Sequence, residues 1–506
     1  MAAPTSRPEN TLANLLGDLA GETLPDVAVT DISQTAQEVV PGSLFLACAG
    51  TARHGLEFAD EAISRGATAI AWEPSAGASA PGLPDGITGV SVPGLREATG
   101  IVADRFFGQP SASLHVAGIT GTNGKTSTAF FVAQALETLG PGCGIIGTLG
   151  SGRPGNLKAS LLTTPDAVGV HRQLAGFRDD GIRHVVMEVS SHALVQGRVN
   201  AVRFECAGFT NLSRDHLDYH GDMNRYALAK TELFTRFTPG HAVINCGDPA
   251  GARIAAATPQ GTHRILIAAP GSENKEGDWL SYGDIDAHES GITFQVKGSY
   301  GAARLHSRLV GEFNAGNLLV ALGILLCWGF SFRESIRALE NVSAPAGRME
   351  TFRNKQGPLV VVDYAHTPDA LEKVLLAARA HARGKLLLVF GCGGERDPGK
   401  RPEMGRIAAR LADEIIVTDD NPRNEDPDAI VDAIVAGAGS QARVIRDRAA
   451  AIESAIAVAG EGDVVIVAGK GHESYQTTAA GRQPFSDRAV VSGLLGIVPR
   501  AQEVSA

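Results

Sequence analysis

The run Gly118-Ile119-Thr120-Gly121-Thr122-Asn123-Gly124-Lys125-Thr126-Ser127 constrains the fold more than any other stretch of the chain. Before it, Leu114 to Ile119 is a mostly apolar run that reads as a buried strand. After it, Phe130, Phe131, Val132, Ala135, Leu136 and Leu139 are spaced as one face of a helix that stops at Gly140. Strand, glycine-rich loop, Lys-Thr and helix is the layout of a phosphate cradle. The glycines let backbone N–H groups close on phosphate oxygens, and the helix N-terminus adds partial positive charge. Lys125 adds a full charge and Thr126 offers a hydroxyl to Mg²⁺. The expectation is a nucleoside triphosphate held by Gly121, Thr122, Asn123, Gly124, Lys125, Thr126 and Ser127. The spacing departs from the strict G-x-x-x-x-G-K-[ST] form, because Ile119 stands where its first glycine belongs.

A chain of 506 residues is long enough for about three domains. Sixty glycines suit an α/β protein with many tight strand-to-helix turns. The net charge of −10 carries no basic signature for nucleic acid or an anionic membrane, so an anionic substrate needs local positive charge. The six cysteines form no C-x-x-C pair, so neither a disulfide framework nor a thiolate zinc site is expected. The N-terminus is polar without an apolar signal core, and the apolar run Leu318 to Trp328 is too short to span a bilayer. A cytoplasmic protein, expected as a monomer, follows.

Three blocks divide the chain. In residues 1–110, Ser43 to Ala47 and Ala67 to Trp72 read as strands around a helix from Phe58 to Arg65. Residues 111–344 hold the phosphate loop, strands at His184 to Val189 and His241 to Asn245, and a polar stretch from Gly271. An alternating strand at Gly291 to Val296 and a helical run from Asn314 to Trp328 complete this block. Residues 345–506 alternate helical patterns with apolar runs at Leu359–Val362, Leu386–Phe390, Ile415–Thr418 and Val464–Ala468, each ending in a polar or glycine-rich cluster. That βαβ rhythm predicts a mostly parallel sheet with all four clusters at its carboxyl edge, where ligands bind.

In the middle block, Glu188 ends an apolar strand and is placed to hold Mg²⁺ beside the loop. Asn211 to His220 brings His216 and His220 four residues apart, but without the H-E-x-x-H glutamate or a third ligand zinc is not expected there. Lys230, on an amphipathic helix from Tyr226 to Phe234, reads from its pattern alone as a solvated surface lysine.

Together, Gly-Thr-Asn-Gly-Lys-Thr-Ser at 121–127, Met-Glu-Val-Ser-Ser-His at 187–192, the Asn211–His220 run and Ala-Lys-Thr-Glu-Leu-Phe at 229–234 resemble the Mur ligase family. Later motifs are Glu312 to Asn317, Gly347-Arg348, Asp363 to His366 and Gly469 to Glu473. These cytoplasmic enzymes add amino acids to UDP-N-acetylmuramic acid during peptidoglycan synthesis. The resemblance implies an N-terminal α/β UDP-substrate domain, a central ATPase-type parallel sheet and a C-terminal Rossmann-like domain. It implies that Lys125 and Thr126 hold ATP phosphates and Mg²⁺, and that Glu188 and His216 serve the metal. Lys230 would be carbamylated, its new carboxylate supporting a second Mg²⁺. Asn317 would meet the adenine, and Arg348, Asp363 and His366 would reach the nucleotide from the hinge and third domain.

Thr163-Thr164, Ser190, Gln196 and Arg198 are most similar to the family branch acting on UDP-MurNAc-L-Ala-D-Glu, with Ser33 as a further contact. Asp420-Asn421-Pro422-Arg423 resembles the motif of the meso-diaminopimelate-adding form, though in isolation Asn-Pro is also an ordinary turn signal. Diaminopimelate differs from lysine by a second amino-acid end. Arg423, helped by Arg396, suits its extra carboxylate, Glu473 its ammonium, and Gly469 permits close approach. Two departures stand out. Thr35-Ala36-Gln37 replaces the Asp-Ser-Arg that often precedes Pro-Gly-Asp-Leu-Phe, and Leu162 replaces an asparagine. The alternatives are a lysine-adding ligase, folylpolyglutamate synthetase and a nucleotide-hydrolysing switch. Arg423 argues against the first, the N-terminal block against the second, and Lys230 against the third.

Overall fold

The computed structural model describes residues 10–50, 53–75, 82–268, 277–354 and 357–497, and the backbone of Val504–Ser505. The segment before Asn10 and the opening of the polar stretch at Gly271 lie outside the described residues.

The first sheet has four parallel strands in chain order: Asp31–Ser33, Ser43–Ala47, Ala69–Trp72 and Thr88–Ser91. Alternation within the second strand sorts its side chains between two cores. Leu44 and Leu46 pack under the helices Leu12–Ala20 and Leu95–Phe106, and Phe45 packs on the other face with Ala59 and Ala62. The expected helix over Phe58 to Arg65 is shorter, Ala59–Ser64, because the preceding turn Gly55–Phe58 is 3₁₀.

The second sheet is twelve-stranded. At its centre six parallel strands run side by side: His263–Ala268, His241–Asn245, Cys206–Phe209, His115–Thr120, His184–Glu188 and Gly144–Gly147. Asp278–His288, Gly291–Gly298 and Gly301–Ser307 extend one side as an antiparallel meander, which accounts for the period-two pattern near Gly291. Helices cover both faces. Lys125–Leu139 and Phe313–Cys327 pack with Ala117 and Ile119, while Ala167–Asp179 and Met223–Thr235 pack with Val116 and Val185.

The third sheet orders its strands as Glu350–Phe352, Leu359–Asp363, Val464–Ala468, Leu386–Phe390, Glu414–Val417 and Ala442–Val444. The four long strands are parallel, so their polar ends meet at one edge as the βαβ rhythm predicts. The two flanking strands, of three residues each, are too short to register as periodicity. Gly347 joins this unit to the second. Its φ is +62° and a Cβ would stand 2.1 Å from the His472 nitrogen, so the hinge has room only for glycine.

Between the first and second units, His171 and Asp104 are both buried, with Nδ1 and Oδ1 3.5 Å apart. The His171 Nε2 faces the Asn200 carbonyl at 2.9 Å. Nδ1 then carries a lone pair, and neither it nor Asp104 Oδ1 has a hydrogen-bond partner among the described residues. Burial raises the Asp104 carboxyl to about 6, against 3.8 for an ordinary aspartate. Folding therefore takes up a proton between those values, and the penalty on the ionised carboxylate is complete above about pH 6. Asp104→Asn, which stays neutral, is expected to raise the melting temperature at about pH 8, with the gain closing by about pH 4. A gain of equal size at both pH values would contradict this account.

Candidate active site

The phosphate loop is propped from behind by the Asn211–Ser213 run. Thr122 N donates to the Asn211 carbonyl, Asn123 N to Asn211 Oδ1, and Ser213 N to Thr122 Oγ1. Gly124 adopts φ +83°, and its missing Cβ makes room for Asn317, whose Oδ1 would lie 2.4 Å away. Asn317 is thus at the loop, held by its own bond to Asn314 Oδ1 at 3.1 Å. Ser127 lies in the first turn of the helix, half-buried.

Two lysines converge on one acceptor. Lys125 Nζ donates to the carbonyls of Gly121 at 2.8 Å and Thr122 at 2.9 Å, and Lys230 Nζ donates to the same Gly121 carbonyl at 2.8 Å. Lys230 is 1 % exposed and lies 4.4 Å over the Tyr226 ring. The pattern-based expectation of a solvated lysine is therefore wrong. The helix presents its inner face to the loop here, and amphipathic spacing cannot tell a buried amine from a snorkelling one. Burial, then repulsion from Lys125, drives the Lys230 ammonium well below the usual lysine value, with Asp215 opposing. Burial lowers Lys125 as well, and Arg348 contributes to that while Glu188 and Asp215 oppose it. Asp215 is thus the carboxylate facing both lysines. No assignment was made to it from sequence because nothing distinguishes it from Asp218 in the same run.

Glu188, 1 % exposed, is the junction of the second unit. Its carboxylate accepts from Thr126 Oγ1 at 2.9 Å, Thr148 N at 2.8 Å and Thr148 Oγ1 at 3.1 Å. With the Thr148 hydrogen committed to Glu188, Thr163 Oγ1 donates to Thr148 Oγ1 at 3.1 Å. Thr164 Oγ1 donates to the Glu188 carbonyl, Ser190 N donates to Thr164 Oγ1, and Arg198 reaches the Thr164 carbonyl at 3.0 Å while bonding Gln196. The structure therefore gathers Thr163, Thr164, Ser190, Gln196 and Arg198 beside the loop. Thr148, which links them to Glu188, is a small residue after the Gly144–Gly147 strand and gave no signal of its own. His216 takes φ +52° at the head of a four-residue helix, with Nε2 3.4 Å from Asp215 Oδ2 and its ring beside His192. His220 is buried and bonds Ser191 Oγ at 2.9 Å, which assigns it to packing.

Arg348 and Asp363 approach from the third unit. The Arg348 guanidinium lies 4.5 Å over the Tyr364 ring, and its buried Nε has no hydrogen-bond partner among the described residues. Asp363 accepts from Met349 N and Ala365 N, and burial raises its carboxyl despite Arg348 nearby. His366 Nδ1 faces the Tyr364 carbonyl at 2.8 Å, and burial lowers the ring.

The other clusters of the third unit also meet. Asn421 Nδ2 donates to Glu473 Oε2 at 2.9 Å, and the fully buried Lys470 donates to Asn421 Oδ1 and Glu473 Oε2, both at 3.0 Å. Between two glycines, Lys470 carries no signal of its own in the sequence. Burial raises Asp420, with Arg448 and Lys470 opposing, and a Cβ on Gly469 would stand 2.7 Å from its Oδ2. Pro422 is buried in the turn. Arg423 has φ +55°, and its guanidinium donates to the Gly394 carbonyl at 2.6 Å; Arg396 lies on the same loop. Ser33 stands apart, its hydroxyl closing its own turn by donating to the Thr35 carbonyl and accepting from Thr35 N.

A phosphate loop facing two lysines, with Arg348 reaching it from the hinge to the third unit, defines a nucleotide-dependent ligase site. Family profiles agree with this geometry. The Mur ligase middle domain matches residues 119–325, and the Mur ligase, glutamate ligase domain matches residues 347–471. The chain belongs to the Mur ligase family. It is 47% identical over 487 residues to the UDP-N-acetylmuramoyl-L-alanyl-D-glutamate–2,6-diaminopimelate ligase of Xanthomonas campestris pv. campestris strain 8004, covering 96% of this chain and 97% of the relative. The ligase of the same description from Ectopseudomonas mendocina is 47% identical, covering 91% and 94%. A solved structure of a ligase with this description superposes with a TM-score of 0.71 at 32% identity, covering 97% of this chain and 99% of that one. MurF ligase from Thermotoga maritima in complex with ADP shares the fold, with a TM-score of 0.62 at 19% identity.

Thr148→Val removes the hydroxyl that joins Glu188 to Thr163 and preserves shape. Losing a hydrogen bond to a charged group costs roughly 1.5–3 kcal/mol of stability, so the melting temperature is expected to fall by a few degrees, and kcat/KM to fall as Glu188 loses part of its anchor. Unchanged turnover would remove Thr148 from the site.

Proposed function

We propose that the chain is an ATP-dependent, ADP-forming ligase that joins meso-2,6-diaminopimelate to the D-Glu γ-carboxylate of UDP-MurNAc-L-Ala-D-Glu, in cytoplasmic peptidoglycan precursor synthesis. Residues 1–110 would hold the uridine substrate, 111–344 the ATP and 345–506 the incoming amino acid. One observation carries the reading: a buried Lys230 shares the Gly121 carbonyl with Lys125 at the phosphate loop. Nucleotide hydrolysis alone has no use for a second, desolvated lysine there. The relatives at 47% identity, matched over nearly their whole length, are named as this ligase.

ATP would lie along Gly121–Ser127 with its adenine toward Asn317, and Arg348 and Asp363 would close on it from the third unit. Lys125 would release its loop carbonyls to follow the γ-phosphate as it passes to the substrate carboxylate. That transfer forms the acyl–O–P bond and breaks the bond to ADP. The amine of diaminopimelate then attacks the acyl carbon, and phosphate leaves from the tetrahedral adduct. Closure of the third unit excludes the water that would otherwise hydrolyse the acyl phosphate.

The donor set suits Mg²⁺: Glu188 is a buried carboxylate oriented by three hydrogen bonds, beside the Thr126 hydroxyl. Thr126, Glu188 and His216 would hold it, and Mg²⁺ would offset phosphate charge. Lys230 in its ammonium form is no ligand. Its lowered pKa favours the neutral amine, the form that takes up carbon dioxide to become N6-carboxylysine. Thr163, Thr164, Ser190, Gln196 and Arg198 would orient the dipeptide. Arg423 and Arg396 would bind the distal carboxylate of diaminopimelate, with Asp420, Asn421, Pro422, Gly469 and Glu473 shaping the pocket around its ammonium.

Lys230→Ala is expected to abolish turnover nearly completely, with partial recovery in formate or acetate. Wild-type activity in that variant would overturn the role. Arg423→Ala is expected to raise KM for diaminopimelate on the order of 10- to 100-fold, the loss of a charge-assisted hydrogen bond, while KM for ATP stays within about twofold. An equal rise in both would make Arg423 structural.

A further inference from the structure

The parallel strands of the central sheet deliver the phosphate loop and Glu188 to one edge. Their opposite ends form a second row of chemistry-bearing residues. Neighbouring strands begin at His263, His241, Cys206, His115 and His184, and the ladder sets Cys206 against His241 and His241 against His263. The helix Phe313–Cys327 ends over the same edge. One ligand atom from each of His241, His263 and Cys327 lies within 4.8 Å of the others.

We propose that His241, His263 and Cys327 bind a zinc-like divalent transition-metal ion at this edge, opposite the nucleotide site. Three features of the geometry support the assignment. The Nδ1 atoms of His241 and His263 are 3.3 Å apart, with the rings at 78° to one another. Tetrahedral zinc with Zn–N bonds of about 2.0–2.1 Å places two nitrogens about 3.3–3.4 Å apart. The tautomer is also set. His263 Nε2 faces Asp278 Oδ2 at 2.8 Å, and Tyr300 holds that same oxygen at 2.8 Å. With Nε2–H donating to this carboxylate, the Nδ1 lone pair is left free on the side of His241 and Cys327, the arrangement that orients metal-bound histidines. Finally, His263 is exposed and His241 and Cys327 are half-buried, so an ion has a path of entry and a solvent-facing fourth position. The buried Cys206 lies behind Cys327.

Without an ion, His241 and His263 share the 3.3 Å nitrogen–nitrogen contact and Cys327 is hydrogen-bonded to His241 and Cys206, so titration with a metal is what separates the two arrangements. A thiolate with two imidazoles selects zinc or cobalt over the Mg²⁺ suited to the oxygen ligands of the other edge. On binding, the Cys327 thiol proton passes to solvent and a sulfur–metal bond forms.

The test uses the full-length protein, stripped with a chelator, desalted and titrated with Co²⁺ alone. About one equivalent is expected to bind with visible absorption bands and a thiolate-to-cobalt charge-transfer band, all displaced by Zn²⁺. Cys327→Ser is expected to lose the charge-transfer band, and Asp278→Asn to weaken binding on the order of 10- to 100-fold. Cys206→Ser is expected to keep the band. His263→Ala, at an exposed position, is expected to lose tight binding while retaining wild-type unfolding and ligase activity. No saturable binding, a band that survives Cys327→Ser, or a band lost only with Cys206→Ser would overturn the site.

Discussion

The Gly121 carbonyl oxygen accepts from two lysine Nζ atoms, Lys125 and Lys230, inside a largely desolvated loop. Much of the second unit serves that arrangement. Asn211 and Ser213 fix the loop so that the carbonyl points inward, Tyr226 gives Lys230 a ring face to rest on, and Asp215 supplies the opposing charge. Arg348 adds a cation from the hinge. Such a concentration of positive charge calls for an anion to enter, and the loop's backbone geometry suits phosphate.

Glu188 performs the complementary task. It is a buried carboxylate held by three hydrogen bonds from Thr126 and Thr148, and through Thr148 it touches Thr163. Nucleotide loop and acceptor pocket are thereby built on one side chain at the end of one strand. In the third unit Lys470 has the corresponding place. Fully buried, it ties Asn421 to Glu473 and so joins two strand ends that lie far apart in sequence.

The fold was readable wherever a period was long enough to see. The parallel strands, the helix after Gly124 and the antiparallel meander near Gly291 all follow from apolar spacing. The loop residues were readable because glycine, lysine and threonine at that spacing have one common use. Thr148, Asp215 and Lys470 were not, because their importance lies in contacts between distant segments and their residue types are unremarkable where they stand. Lys230 shows the limit most clearly: helical periodicity placed it on a surface, and packing against the phosphate loop buried it. Ser33 shows the reverse, a polar residue in a suggestive place whose hydroxyl is consumed by its own turn.

The central claim is that this site couples ATP cleavage to the joining of one particular amine. It is tested most directly by supplying ATP, Mg²⁺, UDP-MurNAc-L-Ala-D-Glu and equal amounts of meso-diaminopimelate and L-lysine, then weighing the nucleotide-linked product by mass spectrometry. The account predicts a tripeptide carrying diaminopimelate, with ADP and phosphate formed in equal amount. A product carrying lysine in comparable yield, or ADP formed with no tripeptide, would contradict it.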